Sequence, residues 1–201
     1  MTISKTGKLL RLAARTGMVR ARDLQATGLT RQDLYRLRDR GLLQQVGRGL
    51  FRAPEAPPSP HQALAEVCAR VPQGVICLLS ALRVHEIGTQ LPGEVWVALP
   101  RGAWQPRVNE WAVRFCRFGG AAYSEGIERR FADGVEIRVY SVAKTVVDCF
   151  KYRNKIGLDV ALEALRAARR KKACTYDQLW ACARVCRVRH IMLPYLEAMD
   201  G

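Results

Sequence analysis

Apolar positions at Leu9, Leu10, Leu12 and Ala13, set against Lys5, Lys8, Arg11 and Arg15, recur with a helical period and predict a helix over 5–15 that Gly17 stops. A second helix is expected from about Arg20 to Ala26, with Leu24 turned inward and Gly28 supplying the sharp turn after it. Thr30 followed three residues later by Asp33 is a capping-box pattern, so a third helix begins at Arg31 and runs to Arg40, ending at Gly41. Leu42 to Val46 and Leu50 to Arg52 alternate about Gly47, Arg48 and Gly49, which predicts a hairpin. Helix, helix, helix, hairpin is the order of a winged helix-turn-helix.

In the third helix Leu34 and Leu37 face the core, which leaves Arg31, Gln32, Tyr35, Arg36 and Arg38 pointing outward. Arginine and glutamine near a helix N-terminus can pair bidentately with guanine and adenine edges, and the terminus itself favours phosphate. Arg48 at the hairpin tip is placed to reach a minor groove or a backbone phosphate. Arg20 and Thr30, at the starts of the second and third helices, complete the set of expected DNA contacts.

The stretch PEAPPSP is stiff and extended, and predicts a linker over 55–60 between a DNA-binding domain at 1–54 and a second domain at 61–201. Ser59 is expected to cap a helix from Pro60 to about Arg70 with Gln62 as its box partner, and a second apolar helix spans about Ile76 to His85. Glu94 to Leu99, Trp111 to Phe118, Ile127 to Phe131 and Val135 to Tyr140 read as strands, the last two joined at Ala132, Asp133 and Gly134. Helices follow over about Val142 to Tyr152, Leu158 to Arg170, Tyr176 to Ala183 (capped by Thr175 with Gln178) and Arg189 to Ala198. The fold class predicted is α+β: an N-terminal winged helix-turn-helix, then a helix, a small mixed sheet and a helix-rich C-terminal part.

Charge sharpens this picture. The 201-residue chain carries a formal +15, distributed as +9 over 1–54, zero over 55–143, +8 over 144–190 and −2 over 191–201. Such an excess is not needed for folding and favours a polyanionic partner. Arg166, Arg169, Arg170, Lys171 and Lys172 cluster at one helix end, and Arg184, Arg187 and Arg189 follow on the next. The helix dipole accounts for part of that cluster, and the remainder predicts either a second polyanion-binding surface or a solvated face. No apolar run is long enough for a membrane span and the polar, basic N-terminus is unlike a signal peptide, so a cytoplasmic protein is expected. Seven scattered cysteines without a CxxC pair read as small buried hydrophobes.

Candidate chemistry is thin. His85 and Glu86 adjoin at a helix end, where their side chains diverge, so His85 reads as a helix-terminal histidine. Cys182, Cys186 and His190 would line one face of a single helix, but no fourth ligand lies at zinc spacing and neighbouring arginines repel a cation. Asp133, Glu136 and Arg138 lie on a hairpin where a restriction-type nuclease would carry a lysine that is absent here. Walker, dinucleotide-binding, GxSxG and HExxH motifs are missing as well, so neither enzyme activity, metal nor cofactor is expected.

RARDLQATGLTRQDLYRLRDRGLLQQVGRGLFR, followed by LLSALRVHEIGT, EVWVALPRG and VYSVAKTVVDCFKYRNKIGLDVALEAL, resembles the AbiEi family, antitoxins of type IV toxin-antitoxin systems. The resemblance implies a protein that binds an inverted-repeat operator in double-stranded DNA and represses its own promoter, while its second domain counters a nucleotidyltransferase-like toxin without the need for a stable complex. It puts the DNA role on Arg31, Gln32, Tyr35, Arg36 and Arg48. The polar positions that match in SVAKTVVDCFKYR are Lys144, Thr145, Asp148 and Arg153, with Lys144 standing where an arginine is more usual. Helix packing is the plainer account of these four, for Asp148 and Tyr152 are four apart and placed to hydrogen bond. A stand-alone transcriptional regulator with a ligand-sensing or dimerising second domain is the alternative.

Overall fold

A computed structural model describes residues 4–21, 24, 28–47, 49–54, 61–133 and 135–199. The fold is α+β, with helices and mixed sheets. One compact unit takes in Met1–Pro72 with Arg130–Ile137, and the other Gln73–Arg129 with Arg138–Gly201.

In the first unit α1 (Lys5–Thr16) starts at Ser4, whose hydroxyl accepts from the Gly7 amide at 3.1 Å, and stops at Gly17 with φ +73°. The next three residues differ from expectation. Met18–Arg20 form a strand, β1, where the sequence predicted the second helix to be starting at Arg20. Ala21 and Leu24 lie in short 3-10 turns, and most of the remainder of that expected helix, including Ala26, lies outside the described residues. Then come α2 (Arg31–Asp39) and the strands β2 (Gln44–Gly47) and β3 (Leu50–Arg52). The sheet order is β1-β3-β2, antiparallel throughout, with Val19 and Gln45 both opposite Phe51. Leu9, Ala13, Val19, Leu24, Leu29, Leu34, Leu37, Leu43 and Phe51 close one core.

The next helix, α3 (Gln62–Arg70), groups with this unit, so the compact body runs past 55–60 to Pro72. Arg70 Nε donates to the Val46 carbonyl at 3.0 Å, which ties α3 to the hairpin strand β2. The expected cap at Ser59 and Pro60, like the linker itself, lies outside the described residues. His61 occupies the N-cap position without a side-chain capping bond to the helix, and Gln62 donates to Glu66 Oε1 at 2.9 Å instead of completing a capping box.

The second unit follows with β4 (Val75–Ile76), α4 (Leu78–Val84), β5 (Val95–Pro100), β6 (Val113–Phe118), α5 (Ala121–Ser124), β7 (Ile127–Ala132), β8 (Val135–Tyr140), α6 (Val142–Lys151), α7 (Arg153–Ile156), α8 (Leu158–Arg170), α9 (Tyr176–Cys186) and α10 (Arg189–Glu197). Its strands order as β6-β5-β4-β8-β7, with β4 antiparallel to β5 but parallel to β8, and β5 parallel to β6. The hairpin β7–β8 enters the sheet through β8, and its turn-proximal residues 130–137 count with the first unit. Val95 to Leu99 are buried on both faces, as a near-continuous apolar strand requires. Trp96, Ala98, Cys116, Phe118 and Tyr140 face a layer built on α6, α8 and α9.

Candidate nucleic-acid interface

The start of α2 is fixed by its cap. Thr30 N and Oγ1 donate to Asp33 Oδ2 at 2.9 and 2.8 Å, while the Asp33 amide donates to Thr30 Oγ1 at 3.3 Å. Thr30 is thereby committed to the helix terminus, and the amides of the first turn are held in place to face an anion. Thr30→Ala should lower the stability of the first unit by about 1 kcal/mol, read as a shift in its thermal midpoint.

Leu34 and Leu37 are buried as predicted, and Arg31, Gln32 and Arg36 are exposed. Arg31 Nη2 donates to Tyr35 Oη at 3.2 Å, which aims the guanidinium along the helix surface. Tyr35 is half-buried, its ring edge-on to Phe51 with centroids 5.4 Å apart. Arg36 lies 3.5 Å from Asp33 with its side chain 63% exposed, so that pairing is weak and leaves the group accessible.

Arg38 is differently used. Its Nε and Nη2 donate to Asp39 Oδ1 at 2.9 and 2.7 Å, its Nη1 donates to Gln45 Oε1 at 3.0 Å, and its guanidinium stands 4.8 Å from the Tyr35 ring centre. Gln45 in turn donates to the Gly47 carbonyl at 3.1 Å. Arg38 and Gln45 therefore brace the wing strand against the helix, a role that sequence spacing missed because the partners lie on different elements. Arg20 is half-buried at the end of β1. Arg48 lies outside the described residues, between Gly47 and a Gly49 at φ +68° whose carbonyl accepts from Ala21 N at 2.9 Å.

Several cations of the basic block in the second unit are engaged by neighbouring groups. Arg169 stacks 3.7 Å from the Tyr176 ring centre, Arg189 lies 5.4 Å from that of Trp180, and Lys171 Nζ donates to the Glu86 carbonyl at 2.6 Å. Arg166, Arg170 and Lys171 line one side of a cleft of ≈ 420 Å³ whose opposite wall includes Glu86, Gly88 and Thr89. Glu163 closes that wall by accepting from Thr89 N and Oγ1, both at 2.7 Å, and from Gln90 Nε2 at 2.9 Å; these bonds hold its carboxyl below the usual range. Lys172 is exposed next to this group. Arg184 and Arg187 are exposed at the C-terminal end of α9.

Lys144, Thr145 and Asp148 are buried in the core of the second unit. Lys144 Nζ meets Asp148 Oδ2 at 2.5 Å and lies 4.0 and 4.8 Å from the ring centres of Tyr140 and Phe118. Asp148 Oδ1 accepts from Cys186 Sγ at 3.3 Å, and burial pushes that thiol up to about 12, so it stays protonated as the donor. Thr145 Oγ1 donates to the Tyr140 carbonyl at 3.1 Å, and half-buried Arg153 donates to the Phe150 carbonyl at 3.1 Å. Asp148 and Tyr152 bond through the backbone, the Tyr152 amide donating to the Asp148 carbonyl at 2.9 Å, but not through their side chains; Tyr152 Oη reaches the Arg117 carbonyl at 3.5 Å. A side chain with no exposed surface cannot touch a partner directly, so Lys144, Thr145 and Asp148 act on the fold.

The remaining candidates separate. His85 Nε2 is 2.6 Å from the Tyr140 carbonyl at the C-cap of α4, a structural contact. Cys182, Cys186 and His190 do not share a helix, because α9 ends at Cys186 and Arg187 turns the chain at φ +59°. Among the described residues no group of histidine, cysteine or carboxylate side chains could hold a metal ion, Asp133 and Glu136 included.

An exposed, capped helix bearing Arg31, Gln32 and Arg36, followed by a two-stranded wing, defines a winged helix-turn-helix of the kind found in transcriptional regulators. Residues 8–54 match the model of a family described as "Transcriptional regulator, AbiEi antitoxin", so this segment is similar to DNA-binding antitoxin regulators. No curated protein matches the chain in sequence. Among solved structures, that of the RV2827C protein from Mycobacterium tuberculosis is similar over 91% of this chain and 72% of its own, with 17% identity and a TM-score of 0.56. At that identity the likeness is one of fold. Among the described residues no helix is long and apolar enough to cross a membrane.

Proposed function

We propose that the protein is a DNA-binding antitoxin that represses its own toxin-antitoxin promoter through the winged helix and counters a nucleotidyltransferase-like toxin through the second unit, without catalysis of its own. The observation that carries the reading is the capped helix Arg31–Asp39, with three exposed polar side chains on its outer face and a segment match to antitoxin regulators. DNA reading belongs to residues 1–54. An inverted-repeat operator in double-stranded DNA is the partner, met by Arg31, Gln32 and Arg36 in the major groove with Tyr35 as the support of Arg31, and by Arg48 at the backbone or minor groove. Arg166, Arg170, Lys172, Arg184 and Arg187 add cationic surface in the second unit.

Arg31→Ala should cost about 1–3 kcal/mol on the best operator and relax base preference, whereas Arg48→Ala should weaken all sequences alike. Binding should also fall with salt by a log-log slope of about −0.9 per phosphate neutralised. Fluorescence anisotropy on operator and scrambled duplexes measures all three, and unchanged binding in both variants would sink the assignment. Co-expression with the adjacent gene product tests the other half: Arg31→Ala should lose repression of a promoter reporter yet still relieve toxicity.

The cleft lined by Arg166, Arg170 and Lys171 favours a second reading, a stand-alone regulator whose second unit senses a small anionic ligand. Failure of the full-length protein to relieve toxicity of any neighbouring gene product would favour it.

A further inference from the structure

The loop that leaves β5 carries an exposed tryptophan, Trp104, at 78% of its free surface. Its base is held on two sides. Arg117 Nη1 donates to the Ala103 carbonyl at 2.7 Å and to that of Pro100 at 3.3 Å, while the Arg101 amide donates to the Phe118 carbonyl at 2.8 Å. The Arg101 side chain lies along Gly119, where an added Cβ would stand 3.2 Å from its Cδ. Trp104 thus projects from an anchored turn, with the exposed side chains of Arg101 and Arg117 beside it.

On the other face of β6, where Phe118 turns to the helices, lies a separate aromatic and cationic pair. Tyr152 stacks on Phe118 with centroids 5.6 Å apart, and exposed Lys155 lies 5.6 Å from the Tyr152 ring centre. Among the described residues no ion pair engages Arg101, Arg117 or Lys155, in contrast to Arg114 on the same strand, which pairs with Glu94 at 2.5 Å. An indole in water on a loop that carries Arg101 and is held by Arg117 matches what a single strand offers, a base with a free π-face next to phosphates. A base inside a duplex keeps both faces stacked and would have to be unstacked first.

We propose that the loop 101–107 with Arg117 is a binding site for single-stranded nucleic acid, in which Trp104 stacks on an unpaired base and Arg101 and Arg117 take the flanking phosphates. The site belongs to the second unit and does not depend on the operator reading of α2.

The test uses the full-length protein and two labelled probes: a mixed-sequence 12-nucleotide single strand and an operator-length duplex. Trp104→Ala should weaken the single strand about tenfold while changing the duplex less than twofold, and Trp104→Phe should recover most of the loss. Arg101→Ala should flatten the salt dependence of the single-strand complex by about one phosphate. Equal thermal midpoints for these variants and the parent exclude a folding effect. No binding of the single strand by the parent, or unchanged binding by Trp104→Ala, overturns the proposal. An equal loss on the duplex also overturns it, since the loop then contacts paired DNA. The operator reading fails separately, through Arg31→Ala on the duplex.

Discussion

Replacing Lys144 by alanine is expected to destabilise the second unit by about 3–5 kcal/mol, because it leaves the Asp148 carboxylate buried without its countercharge. Burial already pushes the Asp148 carboxyl above its usual range, and Lys144 opposes that shift through its charge and its hydrogen bond. The direction with pH follows from the sign of the shift. A carboxyl whose folded-state pKa is raised favours folding in its protonated form and loses that contribution as pH rises through the folded value. The deficit of Lys144→Ala relative to the parent should therefore be larger at pH 7 than at pH 5, as urea melts at the two pH values would measure. A double replacement, Lys144→Met with Asp148→Leu, removes both charges and keeps apolar volume against the rings of Tyr140 and Phe118, so it should recover most of the loss. If the single and double replacements lose the same stability, the pair is not the reason Lys144 matters.

Phe51→Ala should be comparably severe for the first unit, at about 3–5 kcal/mol. Phe51 is fully buried in the central strand β3, between Val19 on β1 and Gln45 on β2, and its ring supports Tyr35. A small unit has a total stability of the same order, so most molecules should lose the winged helix at physiological temperature. Because Tyr35 in turn holds Arg31, operator affinity should fall even below the transition. Thermal melts with operator titrations at low temperature separate these two effects, and an unchanged midpoint would refute the packing argument. Phe51→Leu, which keeps volume but loses the edge-on contact, should fall between the two.

Legibility followed locality. The capping pairs Thr30 with Asp33 and Thr175 with Gln178 were readable because both partners sit within one helical turn, and both boxes form. Helix α8 spans Leu158–Arg170 as its apolar period predicts. The strand β1 was hidden because three residues carry no period of their own; they become a strand by pairing with Leu50–Arg52, thirty residues away. β4 was hidden for the same reason, its two residues being placed by β5 and β8. For Lys144 helix packing was legible but its partners were not: lysine is rarely buried, and the aspartate and rings that compensate it come into view only when α6 is packed against β6 and β8.

What the sequence by itself determined is the set of choices made within a turn or two of chain: helix starts and stops, the outward face of the helix at 31–39, and the basic excess at both ends. Those depend on caps, periods and charge, which are properties of neighbours. Only the tertiary structure decided which outward residues are available. It engaged Arg38 in bracing the wing and buried Lys144 and Asp148 in the core. It also laid Arg169 on Tyr176 and Arg189 on Trp180 and put Trp104 on a loop held by Arg117. Each of these outcomes rests on partners distant in sequence or on the direction of a packed helix.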